Sequence, residues 1–209
     1  MSRNILLQLA IPLVKSHGFS REALSRSVLS LSTPHKEPLS ETAVSALFGQ
    51  GDDARRTLIT AWLDDAREHM RTAPSPVMKE VLGSRLRHNE PVLKYLPEAF
   101  ALLASPASGL PPLDPRPALV HASKVADEAC YAVGNPGVGP SWYARRASLA
   151  AVYAAAELHQ LTSPHTAYQF LEGLLDMSSR IESSFGEAEI FAKYIVRSWV
   201  GIVKSRGVF

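Results

Sequence analysis

Two aromatic residues and two arginines stand side by side in residues 141–146, which read SWYARR. The alanine-rich run behind them propagates a helix well, and Ser141 is the predicted N-cap of that helix. Trp142 and Tyr143 then occupy the first turn, with the arginines directly after them. Because this end of a helix carries the positive pole of the macrodipole, two cations here need a reason other than helix stability.

Recognition is one chemistry that this composition supports, since exposed aromatic residues and arginine are typical of interface hot spots. The alternative is that both aromatic residues belong to a core and that an arginine pairs with Asp127 or Glu128 on the preceding helix. The residues alone favour the core interpretation.

Catalytic constellations are absent from the sequence. No glutamate has a histidine three residues later, so the ligand pattern of a bundle-core di-iron site is missing. Neither a His-Glu-x-x-His motif, a glycine-rich phosphate loop nor a nucleophile elbow occurs. The single cysteine, Cys130, is predicted to be a small core residue. We therefore expect a binding protein without catalytic residues, metal ligands or a cofactor.

The last 25 residues, 185–209, have the pattern of a basic amphipathic helix. Charges within it exclude a spanning helix and favour one that lies in the plane of a membrane. The alternative is a last bundle helix that docks on the core or is exchanged in a dimer. The predicted membrane-binding residues are Phe191, Lys193, Ile195, Arg197, Trp199, Ile202 and Lys204.

Helical periodicity runs through the rest of the chain, whereas alternating strand patterns are absent. Pro12 is predicted to kink the first helix, and Ser20 and Ser40 to cap two short helices that follow. The sequence therefore predicts an all-α bundle of about nine helices plus the C-terminal amphipathic helix. The clearest later helices are predicted at residues 52–70, 118–133, 141–161 and 166–183.

The composition is that of an ordinary globular domain. The chain has 209 residues, 46% of them hydrophobic, and a net charge of +2, which is too small to indicate nucleic acid as a partner. One cysteine favours a reducing compartment. The first residues have the pattern of neither a signal peptide nor a transit peptide, so we expect any targeting segment to have been removed.

The first three predicted helices are arranged like a helix-turn-helix. The candidate recognition helix at residues 40–49 contains Glu41 and no lysine or arginine, although such a helix needs cations for phosphates. We therefore expect no nucleic-acid binding. A TetR-like, ligand-responsive transcriptional regulator is kept as the alternative function.

Four stretches carry a resemblance to a known family: residues 5–24, 85–106, 125–135 and 142–158. They read ILLQLAIPLVKSHGFSREAL, RLRHNEPVLKYLPEAFALLASP, VADEACYAVGN and WYARRASLAAVYAAAEL. Together they resemble the mitochondrial auxiliary proteins of coenzyme Q biosynthesis, lipid-binding partners of demethoxyubiquinone hydroxylase. The chain departs from the family pattern at Phe19, Cys130, Asn135, Gly139 and Ser141, most of which fall at or near the loop before the Trp-Tyr pair.

The resemblance implies a fold like that of TetR-type regulators without DNA binding. On this basis residues 1–184 form a helical lipid-binding domain, with a helix-turn-helix-like part at 1–50, followed by the membrane helix at 185–209. It implies a non-enzymatic protein that presents quinone intermediates to its hydroxylase on the matrix face of the inner mitochondrial membrane. A homodimer, other quinone-biosynthesis proteins, and a bound phospholipid or isoprenoid are expected as partners.

Two sets of binding residues follow from the resemblance. Trp142, Tyr143 and Arg145 are expected to contact the hydroxylase, while Arg146 is held inside the protein by an acid. Bulky residues of the middle helices are expected to line the lipid cavity, although their pattern is equally that of a packed core. They are Trp62, Leu96, Phe100, Leu149, Tyr153, Phe170 and Leu174.

Overall fold

The computed structural model describes residues 2–106, 113–134 and 140–181. Every regular element in these ranges is helical, which confirms the all-α prediction. Short 3₁₀ turns link several of the ten α-helices found there. The helices are α1 (Arg3–Ala10), α2 (Val14–His17), α3 (Arg21–Arg26), α4 (Glu41–Phe48), α5 (Asp52–Glu68), α6 (Met78–Asn89), α7 (Leu96–Ala104), α8 (Arg116–Ala132), α9 (Pro140–Thr162) and α10 (Ala167–Ile181).

The local signals near the amino terminus are found where the sequence predicts them. Pro12 lies in a 3₁₀ turn between α1 and α2, because proline removes a hydrogen bond of the α-helical ladder. Ser20 and Ser40 cap α3 and α4 by accepting hydrogen bonds from backbone N–H groups. Gly18 ends α2 at a φ of 64°, where a Cβ atom would lie 2.9 Å from the ring of Tyr95.

Two compact units divide the chain. The first comprises Met1–Ala66 and Pro91–Leu103, and the second comprises Arg67–Glu90 and the residues from Ala104 onward. In the first unit, the rings of Phe19 and Trp62 meet edge to face, 5.6 Å apart. Its core is completed by fully buried aliphatic side chains, among them Leu6, Val14, Leu24, Val44, Leu58 and Ile59.

The second unit is built around α9, which packs against α8, α10 and α6. The run of alanines in the middle of α9 is buried, and small side chains let the neighbouring helices approach closely. Larger apolar side chains from the other helices fill the core on either side. They include Met70, Val81, Leu82, Leu86, Val125 and Leu171.

The structure corrects one predicted boundary and leaves others as predictions. Helix α9 begins at Pro140, so Ser141 lies inside the helix and is not its N-cap. Proline suits the first helical position, since it has no N–H to leave unpaired and its φ is already helical. The predicted helix at 185–209 lies outside the described residues, so the division at 184/185 stays a prediction. The likeness to TetR-type regulators also stays a prediction.

Candidate partner-binding surface

Helices α8 and α9 run antiparallel and place the end of α8 beside the start of α9. Asp127, near the end of α8, faces Arg146 in the second turn of α9, while His121 near the start of α8 faces Glu157 near the end of α9. One helix pair therefore positions two separate polar clusters. The first surrounds Trp142, and the second is buried.

A ladder of side chains begins at Asp127 and ends at Tyr143. Nε of Arg146 lies 2.7 Å from Oδ1 of Asp127, and its guanidinium carbon lies 3.4 Å from the centroid of the Trp142 ring. The Trp142 ring in turn meets the ring of Tyr143 edge to face, 4.6 Å away. This confirms that an acid of α8 holds Arg146, and it explains how one of the two cations is tolerated at this end of the helix. That cation stacks on an aromatic face and pairs with a carboxylate.

Exposure differs sharply between neighbouring residues of the ladder. The side chain of Arg146 is 17% exposed, and Trp142 is half-buried. Tyr143 is 69% exposed, and Arg145 is also exposed. The structure thus brings together the three predicted partner-binding residues at the start of α9. Two of them, Tyr143 and Arg145, are open to solvent, and the half-buried indole of Trp142 stacks on Arg146.

Three nitrogen atoms of the ladder make no hydrogen bond among the described residues. Nε1 of Trp142 and Nη1 of Arg146 are both covered from solvent, and no acceptor reaches either of them among the described residues. The N–H at Nε of Arg146 is not aligned with Asp127, so that pair is an ion contact and not a linear hydrogen bond. A buried donor without an acceptor costs about 1–3 kcal/mol, so two at one place are unusual.

A second exposed aromatic residue lies at the end of α8. Tyr131 is 69% exposed there, and the guanidinium carbon of Arg71 lies 5.6 Å from the centroid of its ring. Arg71 also binds Glu128, with its Nε donating to a carboxylate oxygen at 2.6 Å. Glu128 is therefore not the partner of the arginine pair on α9. Cys130 lies beneath this surface, and burial raises the pKa of its thiol even though the charge of Arg146 opposes the shift.

The second polar cluster is enclosed between α6, α8 and α9. The carboxylate of Glu157 accepts hydrogen bonds from the hydroxyl of Tyr153 at 2.6 Å and from the amide of Asn89 at 3.1 Å. Arg85, which is 0% exposed, donates to the amide oxygen of Asn89 and places Nη2 3.7 Å from the carboxylate. His121, whose side chain is 11% exposed, lies 3.1 Å from the second carboxylate oxygen. We call these five residues the buried network.

Electrostatics within the buried network favour an ionised Glu157. Burial alone would raise the pKa of this carboxyl group, but His121, Arg85 and the Tyr153 hydroxyl together outweigh burial and lower it to about 2. Burial raises the pKa of Tyr153 well above its ordinary value. The network is therefore a charged carboxylate held by donors from three helices.

The sequence does not predict the buried network, although it does show that two pairs of its residues are spaced to share a helix face. Arg85 and Asn89 are four residues apart on α6, and Tyr153 and Glu157 are four residues apart on α9, so each pair shares a helix face. The sequence does predict Asp127 as a possible partner of an arginine. It does not predict that Arg146 joins Asp127 to the indole of Trp142. These contacts join residues that are distant in the chain.

The predicted lipid-lining residues are divided between the two units. Trp62, Leu96 and Phe100 belong to the first unit, and Leu149, Tyr153, Phe170 and Leu174 to the second. Most of them are buried in the packed cores; the ring of Phe170 stacks on His159 at 4.2 Å, and Tyr153 belongs to the buried network. Their role in lipid binding stays a prediction.

An open cleft of about 460 Å³ lies in the first unit and is bordered mainly by polar residues. None of the predicted lipid-lining residues borders it. The seven predicted membrane-binding residues, from Phe191 to Lys204, lie outside the described residues. Among the helices that the structure does describe, none has the length and apolar character needed to cross a bilayer.

Comparison with known proteins shows where this chain is related to others. Residues 116–182, which include α8, α9 and α10, match the model of the COQ9 family. The chain is 24% identical to the mitochondrial ubiquinone biosynthesis protein coq9 of Schizosaccharomyces pombe over 70% of its own length and 58% of that protein. It is 23% identical to the mitochondrial ubiquinone biosynthesis protein COQ9 of Bos taurus over 94% of its own length and 63% of that protein.

A third relative, the mitochondrial ubiquinone biosynthesis protein COQ9 of Drosophila melanogaster, is 28% identical over 60% of this chain and 38% of its own length. The chain thus spans less than two thirds of each of these relatives. The family match begins and ends around the helices that carry both the ladder and the buried carboxylate.

Proposed function

We propose that the chain is a non-enzymatic auxiliary protein of ubiquinone biosynthesis, because residues 116–182 match the COQ9 family model and most of the chain is similar to COQ9 proteins of that pathway. It binds a lipid or isoprenoid and presents quinone intermediates at a membrane surface to a hydroxylase, demethoxyubiquinone hydroxylase. The relatives are named as biosynthesis proteins and as mitochondrial, which supports the pathway and the compartment.

One observation supports partner binding above the others. Tyr143 and Arg145 are exposed at the start of α9, inside the family match, and the half-buried indole of Trp142 is held between them and Arg146. An aromatic pair that is already oriented loses little conformational entropy on binding, which is the property of an interface hot spot. The hydroxylase therefore docks on the start of α9 and the neighbouring end of α8.

Membrane attachment and lipid binding are the two other parts of this function. The basic amphipathic segment at residues 185–209 anchors the protein to the matrix face of the inner membrane, where a homodimer forms and isoprenoid intermediates are available. The apolar residues of the middle helices enclose the ligand. Native mass spectrometry of the purified chain tests this role, and a bound phospholipid or quinone is the expected result. A chain that carries no lipid after mild extraction would contradict the carrier role.

Co-purification with the hydroxylase tests the partner role. The tagged full-length chain is expected to retain the hydroxylase, and a Tyr143→Ala variant is expected to retain much less of it. Ile5→Ala is a matched control, since Ile5 is an exposed apolar residue of α1 in the first unit. Equal retention by all three proteins would show that the start of α9 is not the docking surface.

The regulator alternative is tested by a gel shift at low salt, where non-specific DNA binding is strongest. In α4 the single charged residue is Glu41, and its carboxylate binds Arg21 at 2.7 Å. The arginine nearest to the candidate recognition helix is thus already paired. No retention of DNA is expected, and retention at low salt would favour the regulator.

A further inference from the structure

The two donors without acceptors in the ladder belong to side chains that are otherwise fixed. Stacking at 3.4 Å and the contact with Asp127 hold the guanidinium of Arg146 against the indole. Nε1 of Trp142 and Nη1 of Arg146 are nevertheless left without an acceptor among the described residues. Native proteins pair nearly all of their buried donors, so two exceptions on adjoining side chains need an explanation.

We propose that Trp142 Nε1 and Arg146 Nη1 bind a carboxylate of the hydroxylase, supplied by an aspartate or glutamate side chain. The inference rests on the proposed function, because it names the chemical group that the partner contributes at the same surface. In the complex the carboxylate accepts one hydrogen bond from the indole and one from the guanidinium. Both donors are thereby satisfied.

The charge around the ladder favours an anionic acceptor over a neutral one. Arg145 and Arg146 carry two positive charges, and Asp127 contributes one negative charge. Arg71 and Glu128 compensate each other nearby. The first turns of α9, a 23-residue helix, add the positive end of the macrodipole. The local excess of positive charge matches one carboxylate.

Access to the two donors requires a small movement of a side chain, because both nitrogens are covered in the free chain. The ring of Tyr143 touches the indole at 4.6 Å and is otherwise exposed. Docking of the hydroxylase displaces the atoms that cover the two nitrogens and brings its carboxylate to them, while the rings of Trp142 and Tyr143 stay in contact.

The test removes one donor without changing the shape of the side chain. Trp142 is replaced by β-(3-benzothienyl)alanine, in which sulfur takes the place of the indole N–H, and the Kd of the full-length chain for the hydroxylase is measured. We expect the Kd to rise by roughly tenfold, because the variant cannot donate a hydrogen bond to the charged acceptor. The same replacement at Trp62 is the matched control, and it should leave the Kd unchanged.

A second experiment observes the indole N–H donor directly by NMR. The indole N–H signal of Trp142 in the ¹⁵N-labelled chain is expected to move downfield on addition of the hydroxylase. Vesicles of anionic phospholipid are the comparison, because a phosphate offers similar acceptor oxygens. A shift caused by vesicles and not by the hydroxylase would overturn the proposal.

The outcomes separate this inference from the proposed function. If Trp142→Ala weakens binding but the benzothienyl variant binds as the unmodified chain does, the hydroxylase docks here and the carboxylate proposal is wrong. If the unmodified chain does not bind the hydroxylase at all, the proposed function is the one that fails. Arg146→Lys keeps the charge but removes Nη1, and it should weaken binding about as much as the benzothienyl variant does.

Discussion

Helix α9 carries two clusters of polar and aromatic residues whose surroundings differ. The ladder at its start is partly open to solvent, and its ion pair joins Arg146 to Asp127 of α8. The buried network in its second half is closed, and its carboxylate is bound by side chains of three helices. We therefore expect the charged residues of the network to act on folding and those of the ladder to act on binding.

The contrast predicts that a substitution in the buried network reduces stability and that one in the ladder reduces affinity. Breaking a buried ion pair by removal of one partner leaves an uncompensated charge in the core. The ladder can lose a side chain with less effect on the fold, since water reaches the surface around it. Substitutions in the two clusters test this difference.

Arg85→Ala should reduce the free energy of unfolding by about 3–5 kcal/mol, because it leaves the charge of Glu157 buried without its cation. Urea denaturation monitored by circular dichroism measures the change. Arg87→Ala is the matched control on the same helix: its guanidinium is 47% exposed and lies 3.5 Å from Glu80. The control should lose less than about 1 kcal/mol. Similar losses of free energy in the two variants would show that the buried network stabilises the fold no more than an exposed ion pair does.

Acid should weaken the fold through Glu157. Because the pKa of this group is lowered in the folded chain, from 4.5 to about 2, its contribution is present above pH 4.5 and is lost as the pH falls toward 2. The loss is on the order of 3 kcal/mol. Urea denaturation at a series of pH values measures it. Glu157→Gln should flatten the dependence between pH 5 and 2, and an unchanged dependence would contradict the role of this carboxylate.

Tyr153→Phe should have a smaller effect, of about 1.5 kcal/mol, since it removes one hydrogen bond to a charged acceptor and leaves the ring in place. Asn89 and His121 still bind Glu157 in this variant. Thermal denaturation detects the change as a fall in Tm. Tyr131→Phe, at an exposed ring of α8, is the control and should leave Tm unchanged. If Tyr153→Phe also leaves Tm unchanged, the hydrogen bond of 2.6 Å between Tyr153 and Glu157 does not stabilise the fold.

The sequence predicts helices and caps well because their causes are local. Pro12, Ser20 and Ser40 act on the three or four residues beside them, and the structure confirms all three. Ser141 misleads because Pro140 starts the same helix one residue earlier. Where two residues compete for a helix start, the sequence alone does not decide between them.

The buried network could not be predicted because its contacts are not local. Asn89 and Glu157 are 68 residues apart in the chain, and only the packing of α6 on α9 brings them together. The pairing of Arg146 with an acid is easier to predict, because adjacent helices joined by a short connection limit the candidates to Asp127 and Glu128. The choice between these two acids depends on Arg71, which occupies Glu128.

Whether the start of α9 is a binding surface is tested by a paired measurement on Trp142→Ala: the Kd for the hydroxylase and the Tm of the free chain. We expect the Kd to be weakened by at least about 30-fold, as for a hot-spot residue, and the Tm to be lowered by less than about 4 °C. Leu149→Ala, a buried position two turns further along α9, is the control and should lower Tm much more. A large fall in Tm for Trp142→Ala with an unchanged Kd would mean that the indole is a core residue and that the start of α9 is not a binding surface.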